Sequence, residues 1–312
     1  MKNLKKILSV ALVVVMVLTA IPLNGFVGLE LPDINWGFSA SAKEVPASGS
    51  CGPSVTYSYD SATKELVISG TGEMSDYYSS SSPFYQSDIK SVIIQSGVTS
   101  IGDYAFYNCT SLESVTIDDS NLTNITIPDS VTLIGDYAFY YCSSLTNITI
   151  PDSVTLIGDS AFYNCSGLKT LTMPASAKIY NSRSTFDYCS NIEKVTLTKG
   201  TGVMENYGTS TSSGATNTYY AYTPWYISRN SIKEVVIEDG VTNIGGYAFY
   251  GCSNLTNITI PDSVTSIGYE AFSNCTSFES VTIPDSVTSI GDYAFYNCSG
   301  LKTLTMPASA KI

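Results

Sequence analysis

An isoleucine followed by a glycine recurs along this chain at a nearly constant interval. The isoleucine lies at position 101, 134, 157, 244, 267 or 290, and the steps 134 to 157, 244 to 267 and 267 to 290 are each 23 residues. A fixed period of roughly 20–50 residues indicates a repeat solenoid, in which each unit buries its apolar side against its neighbours. Such a protein offers a long surface rather than a deep central pocket, so binding is the function to expect.

The first half of each unit predicts a β-strand. In the repeat over residues 145–167, the apolar Ile148 and Ile150 alternate with polar residues. Successive side chains of a strand point to opposite faces, so the isoleucines are expected inside and the polar residues outside. Pro151 has no N–H for the strand ladder and is expected to end the strand.

The second half of the unit predicts a return to the core on the opposite side. Gly158 is expected to permit a bend, after which Ala161 and Phe162 anchor a short helical or 3-10 turn. Strands of adjacent coils are expected to pair about 4.8 Å apart. The sequence therefore predicts an α/β-type repeat solenoid, with one parallel β-sheet face and helical or 3-10 turns opposite it.

The cysteines follow the same period. Seven of the eight hold one position of the repeat, after the Ala-Phe pair or its remnant at Phe186, and Cys51 alone lies outside this column. A position fixed by the repeat is set by its interior, and a free cysteine behaves as a small buried hydrophobe. We therefore expect buried free thiols, with pairwise oxidation of stacked neighbours as the alternative. The column comprises Cys109, Cys142, Cys165, Cys189, Cys252, Cys275 and Cys298.

The N-terminus predicts export. Three lysines precede an apolar run over residues 7–21, and Ala40-Ser41-Ala42 supplies a small-residue cleavage pattern. The alternative is a retained membrane anchor, but the run is shorter than the roughly 20 residues that span a bilayer. We expect a protein that is either secreted into the medium or attached to the cell surface, and whose mature chain does not insert into the membrane.

Five segments follow from these features. They are a signal peptide at 1–42, an N-terminal β-hairpin cap at 43–99, a first repeat block at 100–198, a cap-like insert with a mobile loop at 199–243, and a second repeat block at 244–312. The hairpin rests on two short alternating runs that are split by Asp60-Ser61.

The insert looks like a restart of the chain. Pro224-Trp225-Tyr226 repeats Pro83-Phe84-Tyr85, and both tripeptides lie shortly before a repeat block. Residues 301–312 are identical to residues 168–179, so the sequence stops within a unit. An open last coil exposes apolar surface, and we therefore expect a truncated sequence.

The composition argues against most kinds of catalytic, metal-binding and nucleic-acid-binding site. The chain has no histidine, which removes the commonest general base and the His-based nucleophile and metal sites. Its net charge of −12 disfavours nucleic acid as a partner. The aspartates recur in columns, such as Asp103, Asp136, Asp159 and Asp292, so a role in turns is favoured over a cation site. We predict no enzyme, no catalytic or metal-binding residues and no cofactor.

The outward face of the strands is the predicted binding surface. One of its columns is nearly all threonine, which suits a pleated sheet, whereas other columns vary in charge and are where specificity would reside. A merely solvated face is the alternative. The candidate ligand-binding residues are Glu113, Asn147, Lys169, Glu193, Lys194, Asn257, Glu279 and Lys302.

Tyrosines form a second candidate surface. Tyr107, Tyr140, Tyr163, Tyr250 and Tyr296 share one column beside the buried phenylalanine. Exposed tyrosines are favoured at interfaces and can stack on sugars. Partial burial over the core is the alternative.

The repeat also resembles a known family. The unit L-x-x-I-T-I-P-D-S-V-T-x-I-G-x-x-A-F-x-x-C-x-x, over roughly residues 92–312, resembles the BspA-like leucine-rich repeats of bacterial surface proteins. The resemblance implies a right-handed solenoid that binds host or bacterial surface proteins or glycans. Adhesion or ligand binding through the solenoid face is the function expected. The alternative is a structural spacer of a larger cell-surface protein whose functional domain lies elsewhere.

Overall fold

A computed structural model describes residues 42–116, 127–180, 185–207 and 223–307 of the chain. All of them belong to one compact unit, Ala42–Ile312. The predicted mobile loop, the predicted signal peptide apart from Ala42, and residues 308–312 lie outside the described residues.

Short strands account for nearly all of the regular structure. The described residues contain one 3-10 helix, Tyr226–Ser228, and no α-helix. The strands are β1 (Ser48–Ser50), β2 (Val55–Asp60), β3 (Glu65–Gly70), β4 (Gly72–Glu73), β5 (Ser91–Ile94), β6 (Val98–Ile101), β7 (Ser114–Thr116), β8 (Leu133–Ile134), β9 (Asn147–Thr149), β10 (Leu156–Ile157), β11 (Thr170–Pro174), β12 (Lys178–Ile179), β13 (Lys194–Thr198), β14 (Glu234–Ile237), β15 (Asn243–Ile244), β16 (Asn257–Thr259), β17 (Ser266–Ile267), β18 (Ser280–Thr282), β19 (Ser289–Ile290) and β20 (Thr303–Thr305).

The predicted parallel sheet is present. Strands β9, β11, β13, β14 and β16 lie side by side in that order, with Ile148 opposite Leu171 and Leu171 opposite Val195. Ile148 and Ile150 are buried, as their alternation with polar residues predicts. We call the solvent side of this sheet, together with β3, β5 and β7 before it and β18 and β20 after it, the strand face.

A second parallel sheet runs along another side of the coils, where the sequence predicts none. The isoleucine of each Ile-Gly pair is the last residue of a short strand, and Ile101 lies opposite Ile134, which in turn lies opposite Ile157. The sheets on this side are β4-β6-β8-β10-β12 and β15-β17-β19. The glycine that follows is required by the close approach of the coils, because a Cβ on Gly135 would lie 2.6 Å from the backbone nitrogen of Asp103.

The predicted helical turns at the Ala-Phe segments are not confirmed. Tyr104 and Asn108 have φ values of 54° and 59°, in the left-handed region that an α-helix does not contain. Alternate amides therefore point in different directions. The Phe106 N–H donates to the carbonyl of Ala138 in the next coil, whereas the Tyr107 N–H donates to Tyr104 within its own turn. The turns thus form a third ladder between coils, and the architecture is a β-solenoid rather than an α/β one.

Aromatic rings and thiols fill the core in columns. Phe106, Phe139 and Phe162 are fully buried and stack with ring centroids 5.3 and 5.1 Å apart. Beside them lie the column cysteines, which are free as predicted, and all but the half-buried Cys298 are buried. The Cys165 thiol donates to the Phe139 carbonyl of the preceding coil at 3.2 Å. The column position therefore holds a group that is small and can donate a hydrogen bond.

A residue before each repeat block donates a side-chain hydrogen bond to the first turn of that block. In later coils the alanine carbonyl accepts an N–H from the preceding coil. In the first coil of the first block, the Ala105 carbonyl instead accepts the Ser82 hydroxyl at 2.5 Å. In the second block, the Ala248 carbonyl accepts the Trp225 indole Nε1–H at 2.9 Å. Ser82 and Trp225 thus supply the donor that the first coil of each block would otherwise lack.

The N-terminal segment contains an antiparallel pair. In the pair formed by β2 and β3, Val55 lies opposite Gly70 and Asp60 lies opposite Glu65. Strand β1 pairs antiparallel with β2 on its other edge. Strand β3 then pairs in parallel with β5, so this segment continues the strand face. Its role as a cap stays a prediction, as do the five segment boundaries and the right-handed sense of the coil.

Candidate functional site

The eight predicted ligand-binding residues all lie on the strand face. Each is the first residue of a strand or immediately precedes one. Asn147 and Asn257 begin β9 and β16, whereas Lys169 lies just before β11. Seven of the eight are exposed, and Lys194 is half-buried. The periodicity of the strand thus positions these side chains where the sequence predicts them.

Most of the charged candidates make ion pairs between coils. Glu193 pairs with Lys233 at 3.0 Å and Lys194 pairs with Glu234 at 2.8 Å, so two pairs lie side by side across β13 and β14. Glu113 pairs with Lys90 at 3.3 Å, and Glu279 pairs with Lys302 at 3.6 Å. Exposed pairs of this kind contribute roughly 0–1 kcal/mol each. The charges are therefore available to a partner at little loss of stability.

The remaining candidates are polar or unpaired. The Asn147 side-chain oxygen accepts the hydroxyl of Thr170 in the next coil. The Asn257 amide donates weakly, at 3.4 Å, to the adjacent Thr256. The Lys169 ammonium forms no ion pair with any residue that the structure describes. These side chains can exchange their present contacts for those of a ligand.

A groove of about 370 Å³ opens on the strand face between β14 and β16. Lys233, Glu234, Asn257 and Thr259 give it polar walls, and the half-buried Ile258 contributes apolar surface. Of the lining residues, the sequence singled out only Asn257. Because the groove depends on the pairing of β14, which lies in the insert, with β16 of the second block, the repeat period alone gives no signal for the others.

The groove borders a break in the sheet. Strand β16 pairs with β14, but β18 belongs to a separate sheet with β20. The change is visible in the core, since Ile258 is half-buried whereas the equivalent Ile148 is 1% exposed. A mixed polar and apolar groove beside such a break can accept hydroxyls, amides and a small apolar group together.

The tyrosine column is half-buried in the first block. Tyr107, Tyr140 and Tyr163 stack on one another with ring centroids 4.9 and 4.7 Å apart and interplanar angles of 5° and 8°. Each ring face is covered by the next ring, which leaves ring edges and hydroxyls for solvent. The alternative of partial burial therefore describes these tyrosines better than sugar stacking does. In the second block the rings are tilted, and Tyr296 is 59% exposed.

The aspartate column links coils through the backbone. The Asp103 carboxylate accepts the Asp136 N–H at 2.8 Å, and the Asp136 carboxylate accepts the Asp159 N–H at 2.7 Å. Partial burial, offset in part by that hydrogen bond, raises the pKa of Asp103, and the neighbouring carboxylates of Asp76 and Asp136 add to the rise. These contacts are the turn-forming role that the sequence favours. Among the described residues, no group of three histidine, cysteine or acidic side chains is arranged to hold a metal.

The thiols are poor nucleophiles and poor ligands in the folded chain. Burial raises the pKa of Cys109 and of Cys252 to about 12. The reactive species of a cysteine is the thiolate, which is scarce at neutral pH under these conditions. The column is therefore part of the core rather than a site of chemistry.

A family profile and several solved structures match this chain. The sequence profile of the BspA type leucine-rich repeat region matches six copies, over residues 79–121, 117–216 and 225–312. A crystal structure of a leucine-rich repeat protein from Bacteroides ovatus shares 29% identity at a TM-score of 0.45, covering 73% of this chain and 58% of that one. This chain therefore spans less than two thirds of that relative.

Two further solved structures are similar. A leucine-rich cell surface protein from Faecalibacterium prausnitzii shares 23% identity at a TM-score of 0.37, covering 85% of this chain and 96% of that one. The pneumococcal vaccine antigen PcpA shares 20% identity at a TM-score of 0.31, covering 82% of this chain and 81% of that one. No curated protein matches the chain significantly in sequence.

The family profile covers well over half of the chain, including both repeat blocks. None of the described segments forms a helix long and apolar enough to cross a membrane. The repeat period, the parallel ladders between coils and the profile together show that this chain belongs to the BspA type leucine-rich repeat family.

Proposed function

We propose that this chain is an exported bacterial cell-surface protein that binds protein or glycan partners through its strand face. The observation that carries the proposal is the groove between β14 and β16, which contains Asn257 and lies beside the paired charges of Glu193, Lys194, Lys233 and Glu234. A rigid scaffold supports this proposal, because side chains held by stacked coils lose little entropy when a partner binds.

The groove favours a partner with both hydrogen-bonding and apolar groups. Asn257 and Thr259 offer an amide and a hydroxyl, and the adjacent Lys233 and Glu234 offer opposite charges. Ligand sites typically combine such polar groups with apolar walls. A polypeptide side chain or a sugar ring meets this description, whereas a nucleic acid would need a basic surface.

A binding array tests the proposal. The purified chain would be applied to arrays of glycans and extracellular matrix proteins, and each hit would be repeated with Thr259→Lys and Thr288→Lys. Both threonines are exposed, but Thr259 lines the groove and Thr288 lies beside β19 on another side of the coil. We expect Thr259→Lys to abolish binding and Thr288→Lys to preserve it. If both variants lose binding to the same extent, or if neither loses it, binding at the groove is contradicted.

A spacer function is the second candidate. The ion pairs of Glu113, Glu193, Lys194 and Glu279 connect neighbouring coils of the chain itself, and such contacts serve a stack without any ligand. A folded chain that binds nothing on the arrays would favour this candidate over adhesion.

Export has a separate test. N-terminal sequencing of the protein recovered from culture supernatant or from the cell surface should give a mature start close to Lys43. A protein that retains Met1 and stays with the cytoplasmic fraction contradicts export.

A further inference from the structure

The first repeat block carries two parallel columns of stacked phenols. Tyr104 and Tyr137 lie 4.7 Å apart at 15°, and beside them Tyr107, Tyr140 and Tyr163 continue over three coils at 4.9 and 4.7 Å. All five rings are half-buried, so their faces contact one another while part of each ring reaches solvent. We define this set as the tyrosine ladder.

The spacing of the ladder is imposed by the backbone. The Asn108 N–H donates to the carbonyl of Tyr140 at 2.7 Å, and the Tyr141 N–H donates to the carbonyl of Tyr163 at 2.8 Å. These bonds fix the coils at the separation of paired strands. The phenols therefore cannot drift apart as side chains of a mobile loop would, and equivalent ring atoms of neighbouring coils stay close.

We propose that the tyrosine ladder is a site of oxidative cross-linking. A haem peroxidase that uses hydrogen peroxide to oxidise phenols by one electron would join neighbouring coils there through dityrosine. The inference is independent of any partner of the strand face. It assigns to the ladder a covalent cross-link between side chains of neighbouring coils, in addition to the peptide chain that already connects them.

The reaction balances without any group from the protein other than the phenols. The oxidant removes one electron and one proton from each of two neighbouring tyrosines, and the phenoxyl radicals join through the ring carbons next to the hydroxyls. Each coupled ring then moves its hydrogen from that carbon to the oxygen and regains its phenol. The two hydrogen atoms lost in total reduce one hydrogen peroxide to two waters.

Two features of the chain direct the coupling to the ladder. The column cysteines, which would otherwise compete for the radical, are buried except for the half-buried Cys298 in the second block. In the second block, the tyrosines lie farther apart and tilted, with Tyr269 and Tyr293 at 6.0 Å and 81°. That block therefore serves as an internal comparison of the same residue type on the same scaffold.

The test treats the full chain at low concentration with a haem peroxidase and hydrogen peroxide. Dityrosine fluorescence, the mass of cross-linked peptides and size-exclusion chromatography are then measured. We expect a monomer in which peptides containing Tyr107 and Tyr140, or Tyr140 and Tyr163, are joined with the loss of two hydrogen atoms. The number of free thiols after unfolding should stay at eight.

Two matched variants decide the assignment. Tyr140→Phe keeps the ring in the stack but removes the phenol, and we expect the intramolecular yield to fall by more than half. Tyr296→Phe, in the second block, should leave the yield unchanged. Circular dichroism checks that both variants fold.

Three results overturn the proposal. One is a Tyr140→Phe yield equal to that of the unmodified chain. Another is cross-links that join only separate molecules through exposed residues such as Tyr78, which is 84% exposed. The third is thiol loss without dityrosine.

Discussion

Replacing Gly135 by alanine is expected to separate two coils. A Cβ at this position would lie 2.5 Å from the Asp103 carboxylate oxygen and 2.6 Å from the Asp103 backbone nitrogen. The second distance is roughly 0.9 Å short of the ~3.5 Å at which non-bonded heavy atoms begin to pack favourably. The carboxylate could rotate away, but the backbone nitrogen belongs to the neighbouring coil and can yield only if that coil moves.

The magnitude follows from the bonds that the movement would stretch. The Gly135 N–H donates to the Ile101 carbonyl at 2.8 Å, and the Asp136 N–H donates to the Asp103 carboxylate at 2.8 Å. An added separation of roughly 0.9 Å takes both beyond hydrogen-bonding distance. Two lost bonds at about 1 kcal/mol each give a destabilisation of about 2 kcal/mol, within the range of 1–3 kcal/mol for overpacking.

Gly246→Ala is the matched control. Gly246 is also buried and lies one residue after the glycine of an Ile-Gly pair, but its nearest contact for a Cβ is the Tyr269 carbonyl oxygen at 3.4 Å. That distance is ordinary van der Waals contact. We expect this variant to differ from the unmodified chain by less than about 1 kcal/mol, because alanine lowers the entropy of the unfolded chain.

Urea denaturation followed by circular dichroism would compare the two variants. Because the coils of a solenoid can unfold separately, hydrogen exchange at Gly135 and Asp136 would also be measured, and faster exchange is expected there in Gly135→Ala. If the two alanine variants had equal midpoints and equal exchange, the close approach of the coils would not be what requires glycine.

Three further predictions rest on single contacts. Because partial burial raises the folded-state pKa of Asp103, its ionised carboxylate destabilises the fold, and this destabilisation is fully present above that pKa. Asp103→Asn, whose side-chain oxygen can accept the Asp136 N–H as the Asn206 side-chain oxygen accepts the Gly246 N–H, should therefore raise stability at pH 7. In denaturation curves this gain should vanish as the pH falls below the unfolded value of 3.8, and a constant gain would contradict it. Of the column thiols, the half-buried Cys298 should react first with a maleimide at neutral pH, well before Cys165, as peptide mapping would show. Trp225→Phe should destabilise the start of the second block by about 1–3 kcal/mol, because a buried carbonyl loses its donor; thermal unfolding unchanged by the substitution would refute that role.

The local pattern of the repeat predicts much of the fold. The alternation around Ile148 places it in the core, and the constant register of Cys165 predicts a buried free thiol. The absence of a helical turn at the Ala-Phe segments that the structure describes was not predictable in the same way. Phe162 and its neighbours are as compatible with a helical turn as with the observed turn, and the choice is made by hydrogen bonds to the next coil.

The candidate site, like the fold, was only partly predictable from the repeat pattern. The exposure of Asn257 follows from its place in the strand, so the sequence finds it. Its neighbours in the groove, Lys233 and Glu234, lie immediately before and at the start of β14, within the insert rather than in a regular repeat. The pair of Glu193 with Lys233 spans 40 residues, and no fixed period of 23 predicts that separation.

The donors at Ser82 and Trp225 have a consequence for how such chains can lengthen. A coil can be added after an existing coil by duplication of one unit, because the preceding turn already offers the amide that the new alanine carbonyl needs. A coil placed after unrelated sequence has no such amide and would bury an unsatisfied carbonyl. A segment that carries its own hydroxyl or indole donor is free of this restriction, so a gene could gain a whole block at a new position in a single recombination event.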